Sequence, residues 1–178
     1  MKWLNRLFGG PKDMAALTAG IKAPDFSLAA LDGSGFSLHE ALRQGPVVAA
    51  FFKVSCPVCQ YAFPYLERLY KAHGGKNVAF VAVSQDDKSK TTAFLKEFGV
   101  TFRTLLDDPN GYAASNAYQL TNVPTWFLIG QDGTIEISSV GWVKSEIEEL
   151  NRALAKVEQS PLSPLFRPGE DVRDFRAG

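Results

Sequence analysis

The sequence predicts an α/β fold in which a central mixed β-sheet carries helices on both faces. Three observations point to it. The run Val47-Val48-Ala49-Ala50-Phe51-Phe52 is wholly apolar, rich in β-branched and aromatic residues, and opened by the turn signal Gly45-Pro46, as expected of a fully buried central strand. Apolar segments of strand length alternate along the chain with segments whose apolar residues recur every three or four positions, the pattern of a mostly parallel sheet with covering helices. Late in the chain, two short strand-like segments flank Gly130-Gln131-Asp132-Gly133, a hairpin signal that adds an antiparallel edge.

The elements follow in order. Residues 1–20 hold Gly9-Gly10-Pro11 and Gly20 and show no period, so they are expected to form an extension, partly helical around 13–17. Ala23-Pro24-Asp25-Phe26-Ser27-Leu28 alternates at Phe26 and Leu28 as a short strand does, and Asp32-Gly33-Ser34-Gly35 turns it. Ser37 and Glu40 have the spacing of a capping box for a short helix. After the strand at 47–52, Pro57 suits the first turn of a helix, where its missing N–H costs nothing. Phe63, Leu66, Leu69 and Tyr70 line one face of that helix, and His73-Gly74-Gly75 ends it. Strands are expected at 77–83, 102–106, 125–129 and 134–140. Helices are expected at 86–98, 111–120 and 143–157, the last with Ile147, Leu150, Leu154 and Val157 on one face. One domain, residues 21–158, accounts for this pattern. The tail 159–178 contains Pro161, Pro164 and Pro168 and is expected to lie extended over the surface or to be disordered.

Composition narrows the function. An apolar share of 46% and a charged share of 21% are those of an ordinary globular protein. The 19 Lys and Arg balance the 19 Asp and Glu, which speaks against a nucleic-acid partner. No apolar run is longer than the one at 47–52, far short of the roughly 20 residues that span a bilayer, so no stable membrane insertion is expected. Met1-Lys2-Trp3-Leu4-Asn5-Arg6 is not followed by an apolar stretch of signal-peptide length. A cytoplasmic location is the expectation; a periplasmic one follows if an export signal has been removed. The sequence leaves oligomeric state open.

The two cysteines sit three positions apart, as Cys56-Pro57-Val58-Cys59, between the buried strand and the helix. Such a pair closes too small a loop to staple the chain. At a helix N-terminus, however, free N–H groups and the positive end of the helix dipole stabilise a thiolate, the form that attacks disulfides. Cys56, on the turn, is expected to be the exposed nucleophile. Cys59, one turn on and more buried, is expected to resolve the mixed disulfide. Lys53 stands three residues before Cys56 and is either a cation tuning the thiol or a snorkelling surface lysine. Zinc needs four ligands; the remaining candidates, His39 and His73, are not spaced as a pair, and each is more simply a surface or capping histidine. No metal and no added cofactor is expected. Val123-Pro124-Thr125 places a proline just before a strand, as a sheet-edge residue or a cis bond.

Together these segments resemble a known family. Phe51-Phe52-Lys53-Val54-Ser55-Cys56-Pro57-Val58-Cys59 and Phe63-Pro64-Tyr65-Leu66 are similar to the active-site segment of thioredoxin-like proteins of the TlpA/ResA group. Residues 23–28 resemble the opening segment that this group shares with AhpC/TSA peroxiredoxins. Val123-Pro124-Thr125-Trp126-Phe127-Leu128-Ile129 with Asp132-Gly133 looks like the cis-proline strand and hairpin. The resemblance covers residues 22–157. It implies a thioredoxin-like fold, a cis Val123–Pro124 bond facing the cysteines, and substrate contacts at Pro57, Val58, Val123 and Thr125. It implies thiol–disulfide exchange with protein substrates. The sequence does not tell reductase from oxidase; a cytosolic location favours a reductase recharged by a dithiol system. The chain departs from the pattern at Ser55, where the group usually has Trp, and at Ala50 and Ala62, where related proteins carry a buried acid. Two other functions compete: a peroxiredoxin-like thiol peroxidase using Cys59, and a redox-sensing or binding module.

Overall fold

A segment with no polar side chain has to find cover on both faces, and this one does. The computed structural model describes residues 16–178. In it, no residue of the strand Val47–Phe52 is more than 1% exposed. Around that strand the chain forms β1 (Ser27–Ala30), β2 (Gly35–Ser37), α1 (Leu38–Leu42), β3 (Val47–Phe52), α2 (Pro57–His73), β4 (Ala79–Ser84) and α3 (Lys88–Phe98). There follow β5 (Arg103–Leu106), α4 (Ala113–Ala117), β6 (Thr125–Ile129), β7 (Ile135–Val140), β8 (Trp142–Val143), α5 (Lys144–Val157) and β9 (Phe175–Arg176).

Seven strands form one sheet in the order β2-β1-β5-β4-β3-β6-β7, and β8 and β9 pair separately. The parallel pairings are β3–β4 and β4–β5. The other four pairings in the sheet are antiparallel. The sheet is therefore mixed rather than mostly parallel. Alternation of strands and helices does not fix strand direction, and the connection through α4 brings β6 in beside β3 from the opposite end. The expected hairpin β6–β7 is present, with β6 in the sheet's interior.

The two faces of β3 divide the core. Val48, Ala50 and Phe52 pack with Phe63 and Leu66 of α2, Phe94 of α3, and Leu150 and Leu154 of α5. Val47, Ala49 and Phe51 pack with Leu38 of α1, Ala114 of α4, and Phe26 and Tyr118. Phe52 is wedged between the rings of Phe63 and Phe94, with centroids 4.5 and 4.8 Å away. Burying one such ring stabilises the fold by about 1.5–3 kcal/mol.

Several local expectations are corrected. The helix expected at 111–120 spans only Ala113–Ala117, because Tyr112 (φ 47°) and Gln119 (φ 54°) take left-handed backbone on either side of it. β2, β8 and β9 are two or three residues long, too short to show a period. Most of the expected N-terminal extension, and residues 13–15 of its helical part, lie outside the described residues. Ala16 and Leu17, counted in that extension, are not helical and are buried in the core, with Leu17 N–H donating to the Tyr118 carbonyl at 3.2 Å. The tail follows the surface and is firmly attached over residues 163–170. Leu165 is 5% exposed, Arg68 and Glu170 form a two-bonded ion pair, and Asn151 Nδ2 donates to the Ser163 carbonyl at 2.8 Å. No helix among the described residues is long and apolar enough to cross a membrane.

Candidate active site

The antiparallel register of β3 and β6 sets Phe51 opposite Thr125. The turn that leaves β3 and the loop that enters β6 therefore emerge side by side. The first carries the cysteines and the second carries Pro124.

Cys56 is the N-cap of α2, with extended backbone (φ −83°, ψ 115°), and Pro57 occupies the first helical turn. The cap is made by sulfur: Cys59 N–H donates to Cys56 Sγ at 3.3 Å. The preceding turn is held from three sides. Cys56 N–H donates to the Lys53 carbonyl at 3.1 Å, Gln60 Nε2 to the Val54 carbonyl at 3.0 Å, and Val54 N–H to Asp86 Oδ2 at 2.8 Å. Facing Cys56, the Val123–Pro124 bond is cis. Cys56 Sγ donates to the Val123 carbonyl oxygen at 3.2 Å. Thr125 is buried, and its hydroxyl donates to the Asn122 carbonyl at 2.8 Å, which holds the loop closed on itself.

The two sulfurs have unequal surroundings. Both are free thiols; Cys56 is half-buried and Cys59 is 0% exposed. Burial pushes the Cys59 thiol far above its ordinary range; the Lys53 backbone opposes this, and the hydrogen bond and charge of Cys56 reinforce it. Of the two sulfurs, only that of Cys56 lies in a partly exposed residue, and Cys59 is enclosed behind it. Cys59 as a peroxidatic nucleophile does not fit that burial, since such a thiolate must be exposed to peroxide.

The other candidate residues are distributed less evenly. Pro57 is exposed at the rim, whereas Val58 is 8% exposed and packs into the core, because the second helical position turns inward. The Val58 side chain thus packs into the core and does not line the surface beside Pro57. The Lys53 side chain is exposed and forms no ion pair among the described residues; its backbone, not its ammonium, touches the pair. His73 is not a surface histidine: it is 3% exposed, with Nε2 2.9 Å from Asn151 Oδ1. Among the described residues no three His, Cys, Asp or Glu side chains come together as a metal site would require. Ala50 and Ala62 are buried and supply no acid.

Sequence reasoning missed Asp86, Gln60 and Tyr61. Asp86 reaches the active-site turn from 32 residues away, a link that no local pattern signals. Tyr61, two residues beyond Cys59, accepts from Arg173 N–H at 3.0 Å and packs edge-on against Trp142.

Comparison with known proteins agrees with this geometry. The sequence profile of the Redoxin family matches residues 18–154. Thiol-disulfide oxidoreductase ResA of Bacillus subtilis (strain 168) is 30% identical over 132 residues, covering 74% of this chain and 70% of that one. Thioredoxin-like protein YneN of the same organism is 31% identical over 143 residues, covering 78% and 81%. The thioredoxin domain of a thiol-disulfide oxidoreductase from Bacteroides vulgatus superposes with a TM-score of 0.69 at 20% identity, covering 78% of this chain and 99% of that domain. That last likeness is one of fold, and the fold is thioredoxin-like.

Proposed function

The chain belongs to the Redoxin family, and from that premise we propose that it is a thiol–disulfide oxidoreductase that reduces disulfides in protein substrates. The observation that carries this reading is the asymmetry of the pair: a half-buried Cys56 in contact with the cis-proline loop, and a fully buried Cys59 one helical turn behind it.

The steps balance. The Cys56 thiolate attacks one sulfur of a substrate disulfide; a mixed disulfide forms and one substrate thiolate leaves. Cys59 gives up its proton and attacks Cys56 Sγ, and the second substrate thiolate leaves. The substrate gains two electrons and two protons. The protein is left with a Cys56–Cys59 disulfide, which a dithiol partner must reduce before the next turnover. The cysteine pair is itself the two-electron carrier, so the cycle needs no added cofactor.

The reducing direction is supported by what surrounds Cys56. Strong oxidants of this chemistry are strong because their reduced form is heavily stabilised. Here the reduced sulfur receives one amide hydrogen bond, and no cationic side chain bonds to it among the described residues. Cys59 gains nothing from ionising in its apolar site. A reducing pair fits the cytoplasm, where thiols are kept reduced.

The reading is tested by trapping. Cys59→Ser, given a disulfide-containing protein such as insulin, should accumulate a covalent adduct that dithiothreitol releases. Cys56→Ser should form none. An adduct that survives Cys56→Ser and disappears in Cys59→Ser would reverse the assigned roles, and no adduct with either variant would remove the activity.

A further inference from the structure

Residues 159–174 are tied down along α2 and α5, and the last of these ties reach the active site. Arg68 and Tyr65 of α2 hold Glu170, with Arg68 Nη2 2.7 Å from Glu170 Oε1. Trp142 Nε1 donates to the Arg173 carbonyl at 2.6 Å, and Arg173 N–H donates to Tyr61 Oη. From Asp174 onward the chain runs alongside β8. Lys144 N–H donates to the Asp174 carbonyl at 2.9 Å, Phe175 pairs with Val143, and Arg176 pairs with Trp142. The Arg176 guanidinium lies 4.8 Å from the centre of the Tyr61 ring.

Residue 178 lies against the cis-proline loop. Asn122 Nδ2 donates to the Gly178 carbonyl at 2.8 Å. A Cβ on Gly178 would sit 2.7 Å from the Val123 carbonyl oxygen, and one on Gly141 would sit 2.6 Å from the Arg176 carbonyl oxygen. Gly141 also has φ +77°, which other residues rarely adopt. Two glycines thus permit a close approach of main chain to main chain. The segment arrives at the same Val123 carbonyl that Cys56 Sγ contacts.

We propose that residues 175–178 are a detachable strap that covers the cis-proline loop beside Cys56 and lifts when a macromolecular disulfide docks. The inference rests on the oxidoreductase reading, because it names what must enter that site. An extended substrate chain pairs with exposed main chain at such a loop, and the strap stands in that space. The strap is held lightly. Phe175 is 64% exposed, Ala177 and Gly178 are exposed, and what remains are main-chain bonds at the edge, one side-chain amide and one cation–ring contact. The segment before it is anchored by buried Leu165 and the Arg68–Glu170 pair. The change from anchored to light attachment falls at Asp174, which is where the hinge lies. Cys56 itself stays half-buried with the strap closed, so small reagents reach it and large ones wait for opening.

The test compares alkylation of Cys56 in the reduced full chain, in a chain truncated after Asp174, and in Gly178→Ala and Arg176→Ala. Two reagents are used, iodoacetamide and a polyethylene-glycol maleimide. If reaction with the bulky reagent passes through a minor open state, removing the strap raises its rate by the inverse of the open fraction, on the order of tenfold, while the iodoacetamide rate changes less than about twofold. Arg176→Ala and Gly178→Ala should raise the bulky-reagent rate in the same sense, and they keep the proposal testable if the truncated chain does not fold. Equal bulky-reagent rates in the full chain and the folded variants would overturn the strap. Alkylation needs no turnover, so a chain that forms no reversible disulfide fails the oxidoreductase reading while its strap result still stands.

Discussion

Cys56 Sγ and the carbonyl oxygen of Val123 meet at 3.2 Å across 67 residues of sequence. The contact is a product of sheet register. Phe51 and Thr125 are paired neighbours, so the chain that leaves β3 and the chain that enters β6 arrive together. The buried core beneath them fixes that register, since a one-residue slip of β3 would exchange its two apolar faces. Cys56 is thus placed by the strand behind it, and the cis-proline loop it faces is placed by the strand beside it.

The unequal burial of the two sulfurs predicts which thiol can be labelled. In the folded, reduced protein, iodoacetamide should modify Cys56 alone from pH 7 to 9, and Cys59 only after unfolding. Peptide mass mapping reads this directly; substantial label on Cys59 in the folded state contradicts it. Stability follows with a definite sign. Burial raises the Cys59 thiol in the folded state above its ordinary value of 9.0. The reduced protein therefore keeps the full benefit of a neutral Cys59 below that pH and loses it progressively above. Cys59→Ala should flatten the alkaline fall in Tm.

Glu170 predicts an effect at the acid end. The Arg68 guanidinium, with help from the Arg167 backbone N–H, holds its carboxyl down at about 2 against an ordinary 4.5. A depressed carboxyl stabilises the fold above its unfolded value and loses that contribution as pH falls from 4.5 toward about 2. Glu170→Gln should lower Tm at pH 7 by about 1–4 °C, the range expected of one partly exposed ion pair in a chain of this size. The difference from the unmodified protein should vanish near pH 2 in thermal melts. A difference independent of pH would mean that packing, not charge, holds the tail.

Asp86 predicts a positioning effect. Its carboxylate receives Val54 N–H at 2.8 Å and fixes the turn two residues before Cys56. Asp86→Ala leaves that N–H unpaired, at a cost of about 1–2 kcal/mol, and should slow disulfide exchange by about tenfold through a misplaced nucleophile. Asp86→Asn retains an acceptor and should restore most of the rate. Equal losses in both variants would assign the effect to charge, and normal rates in both would leave the turn self-supporting.

What the sequence made legible follows from how local each feature is. The strand at 47–52 is recognisable because both its faces are apolar, and the helix after it because Pro57 and the spacing of Phe63, Leu66 and Leu69 are local signals. The cysteine pair is legible for the same reason. Strand direction was not, because the pairing of β3 with β6 is a tertiary outcome. β2, β8 and β9 carry no period at two or three residues each. The inward turn of Val58 depends on how the first helical turn seats on the core. The attachment of the tail rests on Arg68–Glu170, a pair 102 residues apart, between two residues that look like ordinary surface charges. Lys53 illustrates the converse: proximity in sequence to Cys56 suggested a role for its ammonium, yet its side chain points to solvent and its backbone makes the contact.

The central claim is that this pair is a reducing dithiol, and the reduction potential of the Cys56–Cys59 disulfide tests it most directly. Equilibration in glutathione buffers or against a thioredoxin couple, followed by thiol alkylation, gives the value. The reducing reading predicts a reversible two-electron couple near that of thioredoxin, roughly −270 mV. A potential near roughly −120 mV would make the protein an oxidant, and failure to form any reversible disulfide would contradict the oxidoreductase reading altogether.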